Sequence, residues 1–270
     1  MTSGNERPLI IYHDNCADGF CCAHIVHGSC GDEAEYVPAQ YGQEPPDVTN
    51  RRVYILDFSY KREVMNDIIK KCSSVAVLDH HKTAEKELEG ITLSDRVCIV
   101  FDMNKSGARL TWEFFNFGRN PHWMVDYTED RDLWRWKLPN SKEVSAALAS
   151  YPRDFAVWDE IGKRTPADLA VEGSAILRYQ GQLIETICGS AREIEMDGHS
   201  ILAVNSGTLI SEVAGKLAEG RPFAACWFVT KEGNAVWSLR SDKNGVDVSE
   251  IAARHGGGGH FHAAGFQQEG

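Results

Sequence analysis

Three stretches of the sequence place acidic and imidazole side chains directly after short apolar runs. They are His13, Asp14 and Asp18 after LIIY, Asp57 after VYIL, and Asp79-His80-His81 after VAVL. Carboxylate oxygens mixed with imidazole suit Mn²⁺ or Mg²⁺ better than a structural zinc ion, for which thiolates are expected. Two such ions a few ångströms apart can activate a water and stabilise the charge on a phosphoryl group. A single Asp after a strand is usually a turn or helix-cap residue, but three such sets in one half-chain favour a metal site.

The elements around these residues predict one edge on which they meet. Apolar runs of strand length occur at 9–12, 53–56, 75–78 and 97–101, and helical patterns occur at 18–27, 61–72 and 107–117, with Ser59 a candidate N-cap. This alternation predicts an α/β fold with a parallel sheet covered on both faces. The carboxyl ends of parallel strands share one edge, and ligands bind there.

A fourth acidic cluster reads Asp-x-x-x-Asp-x-Asp from Asp126 through Asp130 to Asp132. Arg131 lies between two of the acids, and its guanidinium would suit a phosphate because it reaches two oxygens. The alternative is a solvated acidic loop.

The second half of the chain predicts a smaller α/β unit. A helical pattern covers 168–196, a strand and a helix follow at 201–205 and 208–220, a hairpin joins 225–230 to 234–240, and a helix covers 246–255. We expect an N-terminal domain at 1–140, a helical connector at 141–195 and a C-terminal domain at 196–270.

The glycine-rich segment GGGGHFHAAGF at 256–266 follows the last predicted helix. Backbone amides at Gly258 and Gly259 can approach an anion closely, and Arg240 with His260 would form an anion clamp beside Ser241. A flexible loop is the alternative, but Ala263-Ala264-Gly265 favours close backbone packing.

Composition narrows the class of protein. The 270 residues are 43% hydrophobic, the net charge is −11, and no apolar run approaches a membrane span. The beginning of the sequence lacks the layout of a signal peptide, so we expect a cytoplasmic protein without membrane contact and with its eight cysteines reduced. The acidic balance disfavours a protein that grips long nucleic acid through a basic surface.

These motifs together resemble the DHH phosphoesterase superfamily in the branch with a C-terminal DHHA1 domain, of the nanoRNase (oligoribonuclease-like) or RecJ-like type. The segment His13 to Gly19 resembles the first motif, Asp57 the second, Asp79-His80-His81 the third and the Asp130 region the fourth. Gly257 to His260 with Ala263-Ala264-Gly265 is similar to the DHHA1 signature. The five elements occur in the family's order along nearly the whole chain.

The resemblance implies a two-domain hydrolase that binds two Mn²⁺ ions, or Mg²⁺, between a DHH domain and a DHHA1 domain. It implies metal ligands at His13, Asp18, Asp57, His80 and Asp130. His81 would contact the scissile phosphate or protonate the leaving group, Asp79 would orient the imidazoles, and Arg240 and His260 would hold the substrate.

Two positions depart from the family pattern or leave it open. Cys16 stands where the first motif usually has an aspartate, so Asp14 or Asn15 takes that place or one metal position is weaker. In the fourth motif Asp130 is the expected ligand, with Asp132 and Asp126 as alternatives.

Three functions follow from these residues. The first is a metal-dependent phosphodiesterase or exonuclease that hydrolyses short oligonucleotides or linear dinucleotides to mononucleotides. The second is a phosphatase on phosphoadenosine phosphate or polyphosphate, and the third is a nucleotide-binding module without catalysis. RNA, DNA and dinucleotides all remain open as substrates, and an oligomer is compatible with the sequence.

Overall fold

The computed structural model describes residues 7–14 and 16–269, which form two compact units. The first unit runs to Ile176 and the second starts at Leu177, inside one long helix. The domain boundaries that the sequence analysis places after residues 140 and 195 remain predictions. Within the described ranges, no helix combines the length and apolar character of a membrane span.

In its described residues, the first unit contains five strands and eight α-helices, and the last five helices follow the last strand. The strands are β1 (Leu9–His13), β2 (Glu35–Ala39), β3 (Arg52–Leu56), β4 (Ser74–Asp79) and β5 (Val97–Phe101). The helices are α1 (Ala17–Cys30), α2 (Arg62–Lys71), α3 (Lys82–Leu88), α4 (Gly107–Phe115), α5 (Trp123–Asp132), α6 (Ser141–Ser150), α7 (Phe155–Gly162) and α8 (Pro166–Cys188), the last of which continues into the second unit.

All five strands pair in parallel in the order β2-β1-β3-β4-β5, which confirms the predicted parallel sheet. Successive side chains enter opposite faces of the sheet. Leu9 and Ile11 pack in one buried cluster and Ile10 in another, so both faces are covered. The sequence analysis does not predict strand β2, because its sequence, EYVPA, lacks an apolar run. Pro38 is tolerated there because β2 lies at the edge of the sheet.

Ser59 does not cap α2, contrary to the prediction. The helix begins at Arg62 with Lys61 in the N-cap position and no side-chain cap. The Ser59 hydroxyl instead donates to Asp79 Oδ2 at 2.6 Å, and both residues are buried. A buried carboxylate needs donors more than an exposed helix end does, because water can satisfy the helix end.

The second unit contains one six-stranded sheet in the order β10-β11-β9-β8-β7-β6. Its elements are β6 (Arg192–Met196), β7 (His199–Asn205), α9 (Ile210–Ala218), β8 (Ala224–Val229), β9 (Ala235–Arg240), α10 (Val248–Arg254), β10 (Gly258–His260) and β11 (Ala263–Gln268). Strands β7 and β8 are parallel, and the other neighbours are antiparallel. The predicted hairpin is the β8–β9 pair.

The helical prediction over 168–196 extends too far, because α8 ends at Cys188 and β6 follows. Met196 pairs with His199, so Asp197 and Gly198 form a two-residue hairpin loop, and both have positive φ. Asp-Gly is a strong signal for this turn, and it identifies the strand pair more reliably than the apolar spacing does.

The glycine-rich run is strand and tight turn rather than a flexible loop. A Cβ on Gly257 would lie 2.0 Å from the carbonyl oxygen of Gly265, and one on Gly259 would lie 2.5 Å from that of Ala263. Both contacts are too short for a side chain, which confirms the predicted close packing of the backbone.

Candidate metal centre

The predicted ligands of the first half-chain lie at the carboxyl ends of three adjacent strands. His13 ends β1, Asp57 follows β3, and Asp79 ends β4. Strand β3 lies between β1 and β4, so Asp57 takes the middle position. Its φ of 62° turns the chain sharply at the strand end, a backbone conformation that aspartate tolerates better than most residues.

Asp57 contacts imidazoles on both sides. Its Oδ1 lies 3.0 Å from His80 Nε2, and its Oδ2 lies 3.5 Å from His13 Nδ1. The Asp57 side chain is 1% exposed. One buried carboxylate therefore presents one oxygen to each of two neighbouring groups of side chains.

Asp18 is held at the N-terminus of α4, a contact that the sequence did not indicate. Its Oδ2 accepts from the Gly107 amide at 2.6 Å and its Oδ1 from the Ala108 amide at 3.0 Å. A Cβ on Gly107 would lie 2.5 Å from Asp57 Cβ and 2.9 Å from Asp18 Oδ2. Gly107 thus allows α4 to approach both carboxylates.

His80 Nε2 faces a third carboxylate, and that carboxylate belongs to Asp132. The distance to Asp132 Oδ2 is 3.5 Å, and the distance to Asp18 Oδ2 is 3.7 Å. Asp132 was an alternative to Asp130 in the sequence interpretation, and it is the Asp132 carboxylate that lies beside His80 and Asp18. Both oxygens of Asp130 accept from the Lys137 amide at 3.0 Å, and Oδ2 also accepts from the Leu138 amide. Asp130 therefore shapes the chain after α5, and its carboxylate already has its donors.

Asp126, the other alternative, pairs with a neighbouring helix. Arg109 of α4 donates to Asp126 Oδ1 at 2.5 Å and to Glu129 Oε2 at 3.0 Å. The acidic segment is thus part of helix α5 rather than a solvated loop. Arg131 packs its guanidinium 4.5 Å from the centre of the Trp134 ring and 5.5 Å from that of Trp136.

Two residues of the first motif take different positions. The Asp14 carboxylate accepts from Gln40 Nε2 at 3.1 Å and is outside the ligand groups formed by the described residues. Cys16 lies with His13 and Asp57 instead. Asn15, the other proposed substitute, lies outside the described residues.

Asp79 anchors the tripeptide from behind. Its Oδ1 accepts from the His80 amide at 2.7 Å and from His81 Nδ1 at 2.7 Å, and its Oδ2 accepts from Ser59. Asp79 therefore orients the ring of His81, whereas the carboxylates of Asp18, Asp57 and Asp132 surround Nε2 of His80. Burial favours neutral Asp79, but His81 and Ser59 outweigh burial and lower the pKa of Asp79.

The electrostatics of the cluster favour a cation. Burial, with Asp57 and Asp132 nearby, raises the pKa of Asp18 well above its usual range. Burial also acts to raise the pKa of Asp57, but the neighbouring imidazoles of His13 and His80 outweigh it and hold that pKa well below its usual range. Burial disfavours the His80 imidazolium, yet Asp132, Asp57 and Asp18 raise its pKa to about 10. One imidazolium offsets only part of this negative charge.

The donor set fits divalent cations. Two groups each bring three candidate ligand atoms within 4.8 Å of one another: Asp18, His80 and Asp132, and His13, Cys16 and Asp57. In the described part of the chain, the buried Oδ2 atoms of Asp57 and Asp132 and Nδ1 of His13 make no hydrogen bond. Buried polar atoms normally have partners, so oxygens and an imidazole nitrogen in this state are suited to metal coordination.

Comparison with known proteins identifies a domain in the second half of the chain and finds relatives along nearly its whole length. The family model of the DHHA1 domain matches residues 182–270. Oligoribonuclease NrnB of Bacillus subtilis (strain 168) is 22% identical over 304 aligned positions, which cover 94% of this chain and 71% of NrnB. The uncharacterized protein R106 of Acanthamoeba polyphaga mimivirus is 29% identical over 286 positions, 97% of this chain and 67% of R106.

A solved structure shares the fold. RecJ from Thermus thermophilus, in complex with Mn²⁺, aligns with a TM-score of 0.53 and 15% identity over 98% of this chain and 50% of RecJ. Residues 182–270 match the DHHA1 domain, and the sequence relatives extend the similarity over nearly the whole chain. The match to the DHHA1 domain covers the sheet of the second unit.

The DHHA1 sheet brings the predicted anion clamp onto one face. Ala263 of β11 pairs with His260 of β10 on one side and with Arg240 of β9 on the other. Directly opposite residues in antiparallel strands project to the same side, so Arg240 and His260 flank the small Ala263. Ser241 lies one residue beyond this row, and its Oγ is 3.0 Å from His262 Nδ1.

Arg240 is held firmly in place. Its Nη1 donates to Ser238 Oγ at 3.1 Å and to the Leu239 carbonyl at 2.8 Å, and its Nη2 donates to Ser211 Oγ of α9 at 2.7 Å. Gly258 and Gly259 lie on β10, which β11 separates from the strand of Arg240. The roles of these residues toward a substrate remain predictions.

Proposed function

We propose that this chain is a phosphoesterase of the DHH superfamily, a divalent-metal-dependent phosphodiesterase that releases mononucleotides from short oligonucleotides or linear dinucleotides. The observation that carries the proposal is the position of Asp57 between two groups of candidate ligands, with one oxygen toward each. When bound, divalent cations there would supply an activated water and stabilise charge on a phosphoryl group. Mn²⁺ is the ion we propose for the oxygen-rich group, and the complex of RecJ with Mn²⁺ supports it.

The proposed ligands are Asp18, His80 and Asp132 on one side and His13 with Asp57 on the other. Asp132 replaces Asp130 in this set because the carboxylate of Asp130 already accepts backbone hydrogen bonds. The roles of the remaining residues follow from their contacts.

His81 is proposed to act on the substrate. Its side chain is 14% exposed, and Asp79 holds its Nδ1. Its Nε2 is therefore the atom that would donate a hydrogen bond to the scissile phosphate or a proton to the leaving oxygen. The rings of Tyr41 and His13 pack edge-on against His81, with centroid distances of 6.0 and 6.1 Å.

A short substrate fits the charge of the chain better than a long one. The net charge of −11 works against binding many phosphates, whereas Arg240 and His260 on one face suffice for one or two. The relative NrnB is an oligoribonuclease, which supports the same substrate class.

The test is a product analysis with the purified chain and Mn²⁺. It compares 5′-phosphorylated dinucleotides, longer single strands of RNA and DNA, phosphoadenosine phosphate and polyphosphate. We expect mononucleotides, formed fastest from the dinucleotides. Orthophosphate from the last two substrates without mononucleotides would favour a phosphatase, and nucleotide binding without turnover at any Mn²⁺ concentration would favour a binding module.

Asp57→Asn and Asp102→Asn form a matched pair for this assay. Both residues follow a strand of the same sheet, but the Asp102 carboxylate accepts from the Asn104 amide in a local turn. Asp57→Asn should lower turnover more than about 100-fold, because even partners behind a metal ligand cost 10- to 100-fold. Asp102→Asn should keep most of the activity. Retained Mn²⁺-dependent turnover in Asp57→Asn would refute the proposal.

A further inference from the structure

Cys16 differs from the other cysteines of the chain in its surroundings. Cys21 and Cys22 lie in the apolar core of the first unit, and Cys226 lies in that of the second. Cys16 is half-buried instead, forms no disulfide, and places its sulfur within 4.8 Å of ligand atoms of His13 and Asp57.

We propose that Cys16 coordinates a metal ion through its sulfur, together with His13 and Asp57. The centre would then be mixed, with a thiophilic position for Zn²⁺ or Co²⁺ beside an oxygen-rich position for Mn²⁺ or Mg²⁺. The inference rests on the proposed metal centre. It adds a ligand and an ion preference to that centre.

A second observation points to a ligand at this position. The Asp57 side chain is 1% exposed, and its Oδ2, which faces His13 Nδ1 at 3.5 Å, makes no hydrogen bond in the described part of the chain. Cys16 precedes α1 in an extended conformation, and its side chain makes no capping hydrogen bond to the helix.

The two groups differ in the hardness of their donors. Asp18, His80 and Asp132 offer two carboxylates and one imidazole. The Cys16 group replaces one carboxylate with sulfur, and soft thiolate ligands select Zn²⁺ and similar ions over Mg²⁺ or Mn²⁺. On binding, the S–H bond breaks, the sulfur–metal bond forms, and the proton leaves to solvent.

Cobalt spectroscopy of the full chain tests this directly. A thiolate ligand gives Co²⁺ an intense near-ultraviolet charge-transfer absorption, whereas oxygen and nitrogen ligands give only weak visible bands. We expect the intense band in the wild type and in Cys30→Ser, a half-buried control at the other end of α1. Cys16→Ser and Cys16→Asp should lack it and keep the weak bands.

Calorimetry with Zn²⁺ and Mn²⁺ gives an independent measurement. Cys16→Asp should lower the affinity for Zn²⁺ relative to Mn²⁺ by at least about tenfold, the smallest loss usual for residues behind a metal ligand. Unchanged relative affinity would contradict the assignment of the sulfur.

The outcomes separate this inference from the proposed function. If the wild type binds Co²⁺ without the thiolate band, Cys16 is not a ligand, while the metal centre stands. If it binds no Co²⁺, both fail. If the band is present and no phosphodiester is hydrolysed, Cys16 is a ligand and the proposed function is wrong.

Discussion

The strand-end cluster of the first unit and the Arg240–His260 row of the second unit are both proposed to handle phosphate, but their hydrogen bonding differs. In the cluster, buried oxygens of Asp57 and Asp132 make no hydrogen bond in the described chain. In the row, Arg240 donates to Ser238, Leu239 and Ser211. Buried carboxylates with too few donors favour a cation, whereas an arginine fixed by its neighbours is a pre-oriented donor for an anion. We therefore expect the cluster to determine turnover and the row to determine substrate affinity.

The largest effect on activity should distinguish substitution of Asp132 from substitution of Asp130, two aspartates at the end of α5. Asp132→Asn should lower activity and Mn²⁺ affinity more than about 100-fold with an unchanged melting temperature, as expected for loss of a metal ligand. Asp130→Asn should keep Mn²⁺ affinity and lose about 1–3 kcal/mol of unfolding free energy, because buried backbone amides lose a charged acceptor. Calorimetry and thermal unfolding of both variants check this, and the reverse result would restore Asp130 as the ligand.

A smaller effect should follow from crowding the cluster. Gly107→Ala places a Cβ 2.5 Å from that of Asp57, so the carboxylates must shift. We expect Mn²⁺ affinity to fall about 10- to 100-fold. Gly28→Ala in α1 is the control because its Cβ would meet nothing within 4 Å, and it should raise stability by about 0.5–1 kcal/mol. Equal Mn²⁺ affinity in the two variants would contradict the role of Gly107.

The affinity for Mn²⁺ should rise with pH. With a pKa of about 10, His80 is protonated near neutrality without metal, and a ligand imidazole must be neutral. For each proton that metal binding releases, the Mn²⁺ affinity should rise about tenfold per pH unit. Calorimetry between about pH 6 and 8 measures this rise.

The stability of the metal-free protein should change in the opposite direction. The raised pKa of His80 gives a stabilisation that is fully present below its usual value of 6.5 and lost as pH rises through about 10. A Mn²⁺ affinity independent of pH would contradict His80 as a ligand.

The smallest effect should come from the second unit. Arg240→Ala should raise KM about tenfold and leave kcat within about twofold, as expected for one charged hydrogen bond of about 1.5–3 kcal/mol. Arg254→Ala is the control, because Arg254 pairs with Asp197 at the far end of α10. Steady-state kinetics on a dinucleotide would contradict this division if kcat fell and KM stayed constant.

The sequence predicts the sheet and the strand-end ligands because both depend on local patterns. The apolar runs before His13, Asp57 and Asp79 are strand signals, and a parallel sheet brings strand ends to one edge. The sequence does not show whether Asp130 or Asp132 is the candidate ligand. That distinction depends on the chain after α5, which folds back so that the Lys137 amide donates to Asp130. The N-terminus of α4 at Asp18 is likewise a long-range contact, although Ser106-Gly107 carries the helix-start signal.

The central claim is that Asp57 lies between two metal ions, and a Mn²⁺ titration followed by electron paramagnetic resonance tests it most directly. We predict that the wild type binds two ions whose signals show mutual coupling, with Zn²⁺ competing more strongly at the Cys16 position. Asp57→Asn should lose the coupled signal, and Asp102→Asn should keep it. Coupled ions in Asp57→Asn, or no bound Mn²⁺ in the wild type, would contradict the account.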